Sequence, residues 1–224
     1  MPTKLMMIFV GMDFVFAGCG GLLLGFSLMS EQRLRDSPTV NNVAENLLLG
    51  KCPLTAGVVN AIFIFVTFLL SLPALFLPMN RGWLRAQGWL VVICATFTLG
   101  LGLSVWIETL QTRSDLGSLW AKEAPLMQSL LQQKFNCCGY FNSTSPPFVM
   151  DSTCLSSLVA AQKGGCIAPF STFANTYLDQ IFTAAFGIVG VDMLVLLCVA
   201  MVLQYRQEQE RYRHIDEKLG LGGM

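Results

Sequence analysis

The sequence is poor in histidine, in charge and in any charge imbalance. One histidine, His214, occurs in 224 residues, which removes most acid–base and zinc chemistries at a stroke. Lys and Arg number 14 and Asp and Glu number 14, so no basic footprint calls for a nucleic-acid partner. Charged residues make up 12% of the chain, against about 25% in soluble proteins, and hydrophobic residues make up 54%. No nucleophile stands beside a base and no metal set is visible. The chain therefore reads as a non-enzyme with no small-molecule substrate and no cofactor of its own.

What remains is apolar and unevenly spread. Four windows are nearly free of charge. Residues 5–29 contain only Asp13, 55–77 contain none, 88–110 contain only Glu108, and 181–203 contain only Asp192. As helices they measure about 34–38 Å, enough to cross a hydrocarbon core of about 30 Å. The first window exceeds the apolar run of a signal peptide and is read as a retained span. The spans divide the rest into an N-terminus 1–4, a short loop 30–54, a turn 78–87, a long loop 111–180 and a tail 204–224.

Sidedness follows from Lys and Arg. With the termini inside, the cytoplasmic pieces hold seven of them in 35 residues, and the two outer loops hold seven in 95. The long loop also carries Asn142-Ser143-Thr144, a glycosylation acceptor pattern, and four of the eight cysteines: Cys137, Cys138, Cys154 and Cys166. Their spacing does not suit zinc, and outside a cell an even set reads as a disulfide framework. Adjacent Cα atoms lie about 3.8 Å apart, below the usual disulfide span of about 4.4–6.8 Å, which disfavours a Cys137–Cys138 bond. Two pairings remain, and in both the doublet is a corner from which two staples diverge. Gly139 behind it lets the chain turn with φ > 0.

These features resemble the tetraspanin family: four spans, a short first outer loop, a long second one, and Cys-Cys-Gly followed by two more cysteines. The first span, "MDFVFAGCGGLLLGFSL", is similar to the family's, with Asp13 where Asn is usual. Departures are a third cysteine in "DSTC" without the usual upstream Pro, and an inner loop, "PMNRGWLRAQ", without cysteine. The size and short outer loop resemble compact tetraspanins of filamentous fungi, a group linked to host penetration by infection cells. The resemblance implies pairings Cys137–Cys166 and Cys138–Cys154. It implies an all-α membrane protein of four transmembrane helices with a small, disulfide-stapled, helical extracellular loop domain. It further implies a scaffold at the plasma membrane or endosomal or vacuolar membranes, binding other membrane proteins, including tetraspanins, and membrane lipids or a bound sterol.

Several residues carry further expectations. Asp13 and Asp192 lie about 12 and 16 Å from the inner ends of their spans at 1.5 Å per residue. Buried carboxyls are costly in lipid and are functional suspects. The family's cavity between the spans places both near a sterol; a four-span channel or transporter using the same two residues is the rival. Asn60 and Glu108 lie near outer ends, where they can bond each other or face the loop. Gly11, Gly18 and Gly25, and Gly88, Ala95 and Gly102, recur every seven residues and are expected to form close-packing faces. Cys94 and Cys198 are palmitoylation candidates by resemblance. Tyr212 to Ile215 match a Tyr-x-x-apolar sorting pattern. In the long loop, "GSLWAKEAPLMQSLLQQKF" and "FSTFANTYLDQIF" are expected as paired stalk helices, with Tyr140, Phe141 and Phe148 as candidate partner contacts.

Overall fold

The structure, a computed structural model, describes residues 2–76 and 81–218; side chains at 2, 3, 74–76, 81, 108–115, 216 and 217 are outside the described set. Helices account for most of the described chain, with one isolated β-bridge, Thr144–Pro147. They are α1 (Pro2–Arg35), α2 (Val43–Leu49), α3 (Leu54–Phe76), α4 (Arg81–Lys122), α5 (Pro125–Phe135), α6 (Ser157–Lys163) and α7 (Ile167–Lys218). Four of these, α1, α3, α4 and α7, are long and apolar enough to cross a membrane. The chain folds into two compact units, one of residues 1–27, 55–100 and 185–224, the other of residues 28–54 and 101–184.

The first unit holds residues 2–27 of α1, 55–76 of α3, 81–100 of α4 and 185–218 of α7. Its apolar cluster includes Phe9 and Phe16 of α1, Ile64 of α3, Leu84 and Val91 of α4, and Val195, Val199 and Val202 of α7. On α1 the buried positions Phe9, Asp13, Phe16 and Gly20 step by three and four, one helical face. In lipid this face gains little from leaving its surroundings, since tails are as apolar as Phe; close packing and hydrogen bonds must hold it.

The second unit is built differently, around a core of the kind found in water-soluble domains. Val43, Ala44, Leu47 and Leu48 of α2 pack with Leu116 and Trp120 of α4, Leu131 of α5, Tyr140, and Phe170 and Ala174 of α7. Each of the Val, Leu and Phe side chains contributes about 1.5–3 kcal/mol when fully buried from water. The expected single stalk helix over 117–135 is broken. Ala124 is extended (φ −61°, ψ 149°) because Pro125 crowds the residue before it, and Pro125 then opens α5. α5 ends at Asn136 in the left-handed conformation, its N–H bonded to the Gln132 carbonyl. The short loop 30–54 is not plain loop: α2 lies within it and packs against α5.

Candidate functional site

Two groups of residues stand out, one in each unit. In the first unit, polar side chains are buried among apolar ones. The Ser71 hydroxyl donates to Asp13 Oδ2, and Gln87 Nε2 donates to Asp13 Oδ1 at 3.2 Å, so α3 and α4 both reach the carboxyl of α1. Asn60 Nδ2 donates to Thr98 Oγ1 at 2.7 Å, and Thr98 Oγ1 donates to the Cys94 carbonyl at 2.9 Å. Asn60 thus joins α3 to α4 through a threonine, and Glu108, its other expected partner, has a side chain outside the described residues. Thr67 Oγ1 donates to the Phe63 carbonyl at 2.8 Å, which leaves Cys94 Sγ, 3.6 Å away, as donor to Thr67.

Asp192 differs from all of these. It is fully buried on α7, and neither carboxyl oxygen has a hydrogen-bond partner among the described residues. The Cys19 and Cys94 thiols lie within electrostatic reach of it. Asp13, by contrast, is satisfied by Ser71 and Gln87, and the two carboxyls are not bonded to each other. Asn60 Oδ1 and Gln87 Oε1 are also buried without donors among the described residues. Asn60 Oδ1, Gln87 Oε1 and the Asp192 carboxyl oxygens are acceptors. What they lack is a donor.

On α1 the seven-residue glycine series does not coincide with the buried face. Gly11 and Gly18 are exposed, and a Cβ built on Gly11, Gly18 or Gly25 meets nothing within 4 Å. A straight helix drifts from a seven-residue repeat, and the buried face runs through Asp13, Phe16 and Gly20 instead. Gly20 is where α3 comes close, since a Cβ there would sit 2.7 Å from Ile64 Cγ2. On α4, Ala95 and Gly102 are buried, and a Cβ on Gly88 would stand 3.4 Å from Val199 Cγ1. Cys94 and Cys198 are 1% and 6% exposed inside the apolar cluster.

In the second unit, disulfides join Cys137 to Cys166 and Cys138 to Cys154, with Cα separations of 5.1 and 5.9 Å. Of the two pairings left open by geometry, this is the one that the family resemblance implies. The doublet's strand runs beside the segment at the start of α7: Cys138 N donates to the Gly164 carbonyl at 2.9 Å, Cys166 N to Gly139 at 3.0 Å, and Ile167 N to Tyr140 at 3.0 Å. Gly139 has φ 74°, and a Cβ there would collide with the Asn142 carbonyl.

Gln132, which the sequence reading passed over, organises this corner. Its Nε2 donates to the Val149 carbonyl at 2.8 Å, Asp151 Oδ2 at 3.0 Å and Cys154 Sγ at 3.4 Å. Its Oε1 accepts from Gly139 N at 3.3 Å and Val149 N at 3.0 Å. Asp151 Oδ1 in turn accepts from Thr153 N and Cys154 N at 2.8 and 2.7 Å. One glutamine side chain thus ties α5 to both ends of the loop that the second disulfide closes.

The three aromatic candidates separate. Tyr140 is fully buried against Trp120 at 5.7 Å between ring centroids, because the core of this unit needs it. Phe148 covers the Cys138–Cys154 disulfide. Phe141 is exposed, as are Met150, Leu155 and Leu158 in the same loop. Asn142 is exposed and its Oδ1 accepts from Thr144 N, Thr144 Oγ1 and Ser145 N at 2.7–2.9 Å, a tight turn at the surface. Tyr212 and Ile215 are exposed on the last turns of α7. Compared with protein-family models, curated proteins and solved structures, the chain has no match.

Proposed function

We propose that this chain is a tetraspanin-like membrane scaffold, non-enzymatic, which associates laterally with other membrane proteins and lipids and so organises membrane patches. The observation that carries the reading is the cysteine corner: four apolar helices together with a doublet whose two staples diverge, Cys137 to Cys166 and Cys138 to Cys154. Two disulfides favour an oxidising side for residues 111–180, and on this reading both termini are cytoplasmic. Asn142 is then a glycan site, and the exposed Phe141, Met150, Leu155 and Leu158 are the partner-facing side chains of the cap. The compact fungal resemblance extends this to a role in infection-cell penetration.

Asp192 supports a lipid ligand. A buried carboxyl with no partner is a cost to the fold, about 1–3 kcal/mol for an unsatisfied group. A sterol or headgroup hydroxyl supplies the missing donor. Replacing Asp192 with Leu should therefore raise the unfolding temperature in detergent and lower photo-sterol labelling in native membrane. Labelling equal to that of the parent would end the lipid reading. The rival channel is tested in proteoliposomes of purified protein, where the scaffold gives no conductance above the lipid background and ion conduction lost on Asp192→Leu would replace the scaffold reading.

A further inference from the structure

We propose that Asp13 is a proton-holding site, a neutral carboxylic acid whose hydrogen joins α1 to α3. Ser71 Oγ is in contact with two oxygens at once, Asp13 Oδ2 and the Phe68 carbonyl, the latter at 2.7 Å. Oxygens at that separation need a hydrogen between them. A serine hydroxyl has one to give. If it goes to Asp13, Ser71 Oγ and the Phe68 carbonyl are left as bare oxygens against each other. The second hydrogen must come from a partner, and the Phe68 carbonyl has none. The carboxyl supplies it: Asp13 donates from Oδ2 to Ser71 Oγ, and Ser71 donates to the Phe68 carbonyl. The same count makes Cys94 the donor to Thr67, whose own hydrogen is on the Phe63 carbonyl.

The other carboxyl oxygen adds an independent observation. Gln87 Nε2 donates to Asp13 Oδ1 at 3.2 Å, longer than the bonds of about 2.7–2.9 Å made when both partners are ionised, and in keeping with the carbonyl oxygen of an acid. Asp13 is buried, and no described Lys or Arg is paired with it. A charge there would stand alone in a low-dielectric interior. The neighbours that reach it, Ser71 of α3 and Gln87 of α4, do not titrate. The titratable groups elsewhere in this unit's spans are Cys19 of α1, Cys94 of α4, and Asp192 and Cys198 of α7. None of them bonds to Asp13 or acts on its charge. A proton thus latches α1 to α3. Raising the pH removes it and leaves one hydrogen for two close contacts, so the latch holds on the acid side and is lost on the alkaline side. It stands apart from the scaffold reading and from the lipid reading of Asp192, and depends on neither.

The test uses the full chain in lipid nanodiscs, with aspartate carboxyls carbon-13 labelled and read by infrared spectroscopy. At about pH 6 an ordinary aspartate, with a pKa of about 3.9, is ionised. The parent should nevertheless show a carboxylic-acid C=O band that is lost in Asp13→Asn. That variant should stay folded, because the amide Nδ2 donates to Ser71 and Oδ1 accepts from Gln87; peptide mapping of both disulfides checks it. Gln87→Leu should raise the frequency of the band, since the acid carbonyl loses its donor. Ser71→Ala separates the two senses of the bond. Where Asp13 donates, the change removes the acceptor of its hydrogen, and the pH at which half the band is lost should fall by up to about one unit, the scale of one hydrogen bond. Where Ser71 donates to an ionised carboxyl, that pH should rise instead. A parent without an acid band assignable to Asp13 at about pH 6, or a half-loss that stays or rises in Ser71→Ala, would overturn the latch.

Discussion

Gln132→Ala is the sharpest perturbation of the stapled corner. The change deletes five hydrogen bonds at once and leaves the N–H groups of Gly139 and Val149 and the Val149 carbonyl without their partner. An orphaned buried group costs about 1–3 kcal/mol. With water reaching the half-buried Val149, the sum is about 3–5 kcal/mol, a large part of the roughly 5–15 kcal/mol that holds a domain together. Both disulfides remain, so the loop loosens without coming off. Hydrogen–deuterium exchange read by mass spectrometry should show residues 137–154 exchanging roughly 10²–10³ times faster, since each 1.4 kcal/mol is about tenfold. Exchange in α3 should not change. Gln132→Glu keeps the acceptor but sets a carboxylate against Asp151, so it should exchange at least as fast as the alanine variant. If exchange over 137–154 in Gln132→Ala stays within threefold of the parent, the glutamine does not organise the corner.

Two further changes separate close contacts from open ones. Gly139→Ala forces a side chain into the left-handed region and against the Asn142 carbonyl, so it should lower the yield of correctly paired disulfides, read by non-reducing peptide mapping; a normal yield would contradict the contact. Gly20→Leu should cost about 1–3 kcal/mol by overpacking against Ile64, whereas Gly18→Leu should be tolerated, and thermal unfolding in detergent distinguishes them.

The spans and the corner were legible because their signals are coarse or covalent. Four windows nearly free of charge are long enough to cross a membrane as helices, and adjacent cysteines with a glycine behind them constrain a chain whatever surrounds them. The face that packs was less legible. A seven-residue glycine series looks like a seam, yet on α1 the buried positions follow 3.6 residues per turn and choose Gly20 over Gly18. α2 was missed although "VAENLLL" places Val43, Ala44, Leu47 and Leu48 on one helical face; seven residues between two polar stretches give periodicity little room. Ser71, Gln87, Thr98 and Gln132 were missed for a different reason. A lone Ser, Thr or Gln on a helix has no pattern of its own, and its role is fixed by a partner 7 to 74 positions away. Tyr140 was read as surface because it sits in a loop, but that loop is pulled into the core by the first disulfide.

Crosslinking mass spectrometry in native membrane tests the central proposal most directly, with the parent compared against Cys138→Ser. Loss of one such disulfide typically costs a small outer domain about 2–5 kcal/mol, enough to unfold the cap while four inserted helices stay in place. The account predicts crosslinks from the loop around Phe141, Met150, Leu155 and Leu158 to other membrane proteins, and predicts that these fall away in the variant while crosslinks from the spans persist. A parent that yields no membrane-protein crosslinks above a matched four-span control would contradict it.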